Sequence, residues 1–315
     1  MLDVMPMPAR TIQPLDHLAS GVAGLRTVMV NLFAISSPNG SWALIDTGLP
    51  LSSNRILHWI ERHKGADARP TCILLTHGHF DHTGALESLA ERWDVPVYAH
   101  ALEMPYLTGK SKYPPPDPTV GGGAFTLLAP LYPRGPIDIH RRLRELPADG
   151  AVPGLDDWRW IATPGHSPGH VSFFRESDRV LIAGDAFTTT KQESVLAVMT
   201  QRPELHGPPA YYTVDWDAAK LSVGRLAGLQ PNVIACGHGL PMDGPEVQSA
   251  LDYLAEHFDL VARPAQGRYV RNPAITDENG IVQLPPPVVS PAFKIALGVA
   301  LAGGLAYAFA HRRRS

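Results

Sequence analysis

Short apolar runs alternate with amphipathic stretches along most of the chain. Runs at 27–34, 42–45, 72–75, 95–99, 158–162, 171–174, 180–183 and 233–236 are rich in β-branched or aromatic residues. Gly, Pro or polar residues bound them, which predicts strands. Apolar positions recur every three to four residues over 53–63, 85–93, 215–229 and 245–258, which predicts helices. In the second of these the spaced positions are Leu86, Leu89, Ala90 and Trp93. Interleaved strands and helices imply a layered α/β (α+β) fold.

Three segments break the pattern. KSKYPPPDPTVGGG at 110–123 combines four prolines with three glycines, and 188–213 mixes polar residues with prolines and the pair Tyr211–Tyr212. Long irregular loops inside a compact domain are more often functional or mobile than accidental. The stretch 274–291 contains Pro-Pro-Pro and reads as a linker that follows a folded body over 1–273. Beyond it, FKIALGVALAGGLAYAFA at 293–310 has Lys294 as its one charge. As a helix it would span about 27 Å, so a C-terminal transmembrane helix over 292–311 is expected.

Composition narrows the picture. Hydrophobic residues make up 44% of the 315 positions and charged residues 18%, as in a chain with a substantial core. The net charge of −3 offers no basic field for nucleic acid, and Arg141, Arg142 and Arg144 read as a solvated face. The two cysteines, Cys72 and Cys236, sit in apolar runs and read as buried free thiols. No apolar export signal opens the chain, so a cytoplasmic body anchored to a membrane by its tail is expected. The terminal HRRRS complicates that arrangement, because positive residues prefer the cytoplasmic side. Nothing in the sequence sets an oligomeric state.

The chemistry lies at the strand ends. ALID ends in Asp46, CILLT runs into His77-Gly78-His79, WRWIATPG leads to His166, RVLIAG to Asp185 and NVIACG to His238. Rigid strand ends are suited to holding a precise site. The stretch THGHFDHTG places His77, His79, Asp81 and His82 within six positions. Imidazole suits zinc, iron, copper and nickel, and a carboxylate can bridge two ions. One such loop can therefore serve two metals, provided partners arrive from elsewhere.

HxHxDH at 77–82, TPGHSPGH at 163–170, the strand ending in Gly-Asp and the strand ending in Gly-His-Gly together resemble the metallo-β-lactamase superfamily over residues 25–258. The resemblance implies a four-layer αβ/βα sandwich with a site at one edge of two facing sheets. It implies that His77, His79 and His166 bind one ion, that Asp81, His82 and His238 bind a second, and that Asp185 bridges them. Asp46 matches an aspartate that orients the ligand loop without binding metal, and His170 reads as structural. Two zinc ions per chain are expected, with iron or manganese as alternatives.

Departures narrow the branch. Asp185 stands where the familiar zinc β-lactamases carry cysteine. AFTTTKQESV follows it, unlike the stretch typical of glutathione-thioester hydrolases, and His79 stands where the diiron oxidoreductases carry glutamate. The stretch 186–237 is too short for the insert of the large nucleases. What remains is similar to small hydrolases, lactonases among them.

The expected activity is hydrolysis of an ester, lactone, thioester or related bond in a small molecule. The nucleophile would be a hydroxide bridging the ions, since zinc lowers the pKa of bound water to about 7. Asp81 would relay a proton and Asp185 hold the ions. Lys191, His206, Tyr211 and Tyr212, in the loop after Asp185, are candidates for substrate contact. Rival readings are a mononuclear iron dioxygenase acting on persulfides, a phosphodiesterase or nuclease, and a non-catalytic, membrane-tethered metal-binding module.

Overall fold

The computed structural model describes residues 10–13 and 15–288. Its strands are β1 (Arg10–Thr11), β2 (Val22–Thr27), β3 (Val30–Ser36), β4 (Trp42–Ile45), β5 (Cys72–Leu74), β6 (Val97–Ala99), β7 (Leu143–Glu145), β8 (Trp158–Ala162), β9 (Val171–Arg175), β10 (Val180–Gly184), β11 (Val233–Cys236), β12 (Met242–Asp243), β13 (Ile275–Asp277) and β14 (Gly280–Gln283). The helices are α1 (Ser53–Lys64), α2 (Leu86–Trp93), α3 (Met104–Leu107), α4 (Ala124–Leu128), α5 (Val195–Thr200), α6 (Trp216–Ala227), α7 (Glu246–Glu256) and α8 (Phe258–Val261).

Two six-stranded sheets form the body, in the orders β2-β3-β4-β5-β6-β7 and β1-β12-β11-β10-β9-β8. Strands β4 to β7 run parallel, as do β10 and β11. Most of these strands are apolar on both faces, because each sheet is covered twice. Phe33, Ile35, Ala43, Ile45 and Leu74 of the first sheet meet Val171, Phe173, Val180, Ile182 and Ala235 of the second, forming the inner core. The alternate residues Leu32, Ala34, Leu44 and Ile73 face outward onto Ile56, Trp59 and Ile60 of α1 and Leu86, Leu89 and Trp93 of α2. On the other side Phe174, Leu181, Ala183 and Ile234 face Trp216, Val223 and Leu226 of α6 and Leu251 and Leu254 of α7. The period of two along each strand thus produces the αβ/βα sandwich. Each fully buried Leu, Ile or Phe contributes about 1.5–3 kcal/mol.

Most predicted elements appear within a residue or two of their expected ends, with instructive exceptions. The run 27–34 is not one strand. It breaks into β2 and β3, whose register pairs Thr27 with Val30. Val28 is 74% exposed at the turn and adopts φ 63°, which apolar patterning cannot foresee. The run 245–258 divides into α7 and α8 at His257. The basic run 141–144 leads into β7, the edge of the first sheet; Arg141 and Arg144 are exposed, and Arg142 pairs with Asp94. Within 274–291, expected as a linker, β13 and β14 form a hairpin around an Asp-Glu-Asn-Gly turn. The backbone of Ala274 donates to Val214 O at 3.0 Å, which ties the hairpin to the body.

Cys72 and Cys236 are buried free thiols. Burial pushes the Cys72 thiol up to about 12. The segment expected as a transmembrane helix, 292–311, lies outside the described residues. Among the described residues no helix is long and apolar enough to cross a membrane.

Candidate metal centre

Asp46 follows β4, the His77–His82 loop follows β5, His166 lies between β8 and β9, Asp185 follows β10 and His238 follows β11. Every one of these strands delivers its polar group at the carboxyl end, so the groups converge on one edge of the sandwich. Direct bonds close that edge. Val171 N donates to Thr76 O at 2.9 Å, joining the start of β9 to the end of β5. Asn31 of β3 donates its side-chain amide to Cys236 O at 2.9 Å and Gly239 O at 2.7 Å, clamping the loop that carries His238.

His77 Nε2 and His79 Nδ1 are 3.0 Å apart, and His79 Nδ1 is 3.0 Å from His166 Nε2. Three imidazole nitrogens thus face one point. Asp185 Oδ2 lies 3.6 Å from His82 Nε2, 3.5 Å from His166 Nε2 and 3.2 Å from His238 Nε2. Asp81 Oδ2 is 3.5 Å from His238 Nε2. The groups form overlapping sets: His77, His79 and His166; His77, His82 and Asp185; Asp81, His82 and His238, each with its ligand atoms within 4.8 Å of one another. The structure therefore brings together all seven residues expected as ligands.

The electrostatics fit a cation. Burial holds His77 and His79 well below the usual imidazole range and pushes His166 down to about 4. Burial would also lower His82, but Asp185, Asp46 and Asp81 hold it well above its ordinary value. Asp185 is pushed up by burial and pulled well below the carboxylate range by His238 and His82. His82 Nε2 and Asp185 Oδ1 are buried without a hydrogen-bond partner. Unpaired lone pairs of this kind are costly in a protein interior unless something electropositive meets them. A metal ion of borderline softness suits this donor set.

The far sides of the imidazoles are anchored. Asp46 accepts from Thr76 N at 2.8 Å, Thr76 Oγ1 at 2.7 Å and His82 Nδ1 at 2.8 Å. It does so from φ 60°, a backbone state that aspartate tolerates better than most residues. His238 Nδ1 donates to Met29 O at 3.0 Å. His170, the second histidine of TPGHSPGH, accepts from Asp185 N at 2.9 Å through Nε2. Its Nδ1 is 2.8 Å from Thr163 Oγ1, so it steadies the backbone of Asp185 from behind.

Of the residues expected to touch substrate, Tyr212 packs against His79 with ring centroids 4.4 Å apart, and Tyr211 lies 5.3 Å from Tyr212. Lys191 makes no hydrogen bond, ion pair or ring contact with the centre. His206 pairs through its backbone with Thr188 and leaves its buried Nδ1 unpartnered. Tyr132, 6.3 Å from Tyr212, and Phe80, 5.8 Å from Tyr132, complete the aromatic wall. Sequence reasoning missed both. It also missed Glu103, a fully buried carboxylate in the stretch ALEMPYL, which belongs to no motif.

Residues 25–238 match the family described as the metallo-beta-lactamase superfamily. A probable metallo-hydrolase of Bacillus subtilis, YflN, is 48% identical over 77% of this chain and 93% of its own. A second, YybB, is 31% identical over 62% of this chain and 74% of its own. Among solved structures, a superfamily protein of Sulfolobus tokodaii superposes with a TM-score of 0.53 at 19% identity, covering 75% of this chain and 85% of that one. That likeness concerns the fold.

Proposed function

The chain belongs to the metallo-beta-lactamase superfamily, and from that premise we propose that it is a hydrolase with a dinuclear metal centre, zinc being the ion its donors suit best. His77, His79 and His166 would hold one ion, Asp81, His82 and His238 the other, and Asp185 would stand between the two sets. The observation that carries this reading is the placement of Asp185. One of its oxygens faces histidines of both sets at 3.2–3.6 Å, while the other is buried without a partner.

When bound, such ions make water nucleophilic near neutral pH and polarise a carbonyl. The chain's own residues do the rest. Asp46 and Met29 O fix the tautomers of His82 and His238 by accepting hydrogen bonds from their Nδ1–H groups, which leaves Nε2 free to ligate. Asp81 is the least buried of the seven, which suits it to pass a proton between the centre and solvent. Tyr212 and Tyr132 wall the mouth on the His79 side and limit the approach of bulk water. The substrate is a small molecule with an ester, lactone, thioester or related bond. No Ser or Cys nucleophile is needed.

The test is metal analysis of the purified protein, followed by a screen of the zinc-loaded chain against lactones, thioesters, β-lactams and phosphodiesters. About two ions per chain and hydrolysis of one carbonyl class are expected. Asp185→Asn should abolish that turnover with the circular dichroism spectrum unchanged. A single iron with oxygen uptake, or full activity in the Asn variant, would overturn the proposal.

A further inference from the structure

Glu103 lies just before α3, in no motif, and is 0% exposed. Its Oε1 accepts from Ser167 Oγ and Gly169 N, both at 2.8 Å. Its Oε2 accepts from Gly78 N at 2.9 Å and from the hydroxyl of Tyr113. Gly78 is the peptide between His77 and His79. Ser167 and Gly169 form the turn that follows His166. One carboxylate therefore ties together the two loops that carry the His77–His79–His166 set.

The glycines record how close this approach is. A Cβ on Gly78 would meet Tyr113 Oη at 2.5 Å and Leu107 Cδ2 at 2.9 Å. A Cβ on Gly169 would meet Glu103 Cγ at 2.8 Å and its backbone N at 2.9 Å. Among the described residues no Lys, Arg or His pairs with Glu103. Burying a charge without a counter-ion costs several kcal/mol unless hydrogen bonds and a nearby cation offset it. Three of its four donors come from the ligand loops, and its negative charge sits behind them.

We propose that Glu103 is a positioning residue for one half of the centre: it fixes the His77–His79–His166 set, as Asp46 fixes His82. The division is geometric. Asp46 bonds Thr76 and His82 and reaches His77 only through Thr76 Oγ1, 3.0 Å from His77 Nδ1; Glu103 bonds Gly78, Ser167, Gly169 and Tyr113; the two carboxylates share no direct partner. Glu103→Gln keeps the length of the side chain but removes its charge. It also turns an NH2 group toward one pair of donors. Loss of such an outer partner typically weakens metal affinity about 10–100-fold.

This inference rests on the metal-centre reading, and the experiment separates the two. Zinc is titrated into metal-free full-length chain against a competing chelator. Long-range 15N NMR of the labelled histidines reports which imidazoles are ligated at each step. If the unsubstituted protein binds no zinc, the metal-centre reading fails. If it binds zinc, Glu103→Gln should weaken binding to His77, His79 and His166 about 10–100-fold, and leave ligation by His82 and His238 in place. Asp46→Asn should weaken ligation by His82 and leave ligation by His79 and His166 in place. Equal affinity in the Gln variant, or equal weakening of both sets, overturns the positioning role. Should Glu103→Gln fail to fold, Ser167→Ala removes one donor only. A smaller weakening confined to the same set then supports the role, and unchanged affinity overturns it.

Discussion

At the scale of single residues, the centre depends on atoms that are missing as much as on ligands. A Cβ on Gly237 would lie 2.2 Å from Asp185 Oδ1 and 2.7 Å from His82 Cε1. A Cβ on Gly184, at φ 56°, would lie 2.6 Å from His170 Nε2. The glycines of the Gly-Asp and Gly-His-Gly strand ends are therefore steric requirements of the packed site. Gly237→Ala should push Asp185 aside and reduce turnover by roughly 100-fold, the scale on which a displacement of about 1 Å acts. Steady-state kinetics with metal analysis would check this; wild-type values for both would show that Asp185 has room to move. The proposed ligand residues themselves were legible in the sequence, because each follows an apolar run that reads as a strand. Glu103, Tyr132 and Phe80 were not legible, since only the folded chain brings 103 beside 78 and 167, and 80 beside 132.

At the scale of elements, the turn between β2 and β3 matters more than its length suggests. Met29 O accepts a hydrogen bond from His238 Nδ1, and Asn31 clamps the loop after β11. The same turn places Val28 at φ 63°, where a β-branched side chain is strained by about 1–2 kcal/mol. Val28→Gly should therefore stabilise the protein by about 1 kcal/mol or less, since glycine loses more freedom on folding. Urea titration would measure it, and a lower midpoint would mean that the exposed valine makes contacts worth more than its strain. The sequence reading merged these strands because 27–34 is almost uniformly apolar. Periodicity shows how a strand is buried, but a reversal inside an apolar run needs a backbone angle that composition does not reveal.

At the scale of the molecule, the proposed ligands come from both sheets: His77, His79, Asp81 and His82 from the first, His166, Asp185 and His238 from the second. A bound metal would therefore brace the two halves of the sandwich against each other. A ligand present at 100 times its Kd stabilises a fold by about 2.7 kcal/mol per site. Removing metal with a chelator should lower the melting temperature by roughly 5 °C or more. A melt unchanged by chelation and by zinc would show that no ion bridges the sheets at these residues.

The sequence by itself determined the layers and supplied the candidate residues of the centre. Alternation along a strand and spacing along a helix are local consequences of backbone geometry, and 77–82, 166, 185 and 238 carry side chains with few other uses in such a pattern. It also pointed to Asp46 and to the structural part of His170 through a resemblance that the family match bears out at the level of the fold. Only the tertiary structure decided which groups face one another. It set the partition of the histidines about Asp185, the anchoring by Asp46 and Glu103, and the packing of Tyr212 against His79 in place of contacts from Lys191 or His206. The reason is physical: such contacts join positions tens to hundreds of residues apart. Their geometry is set by how two covered sheets pack, which no local pattern encodes.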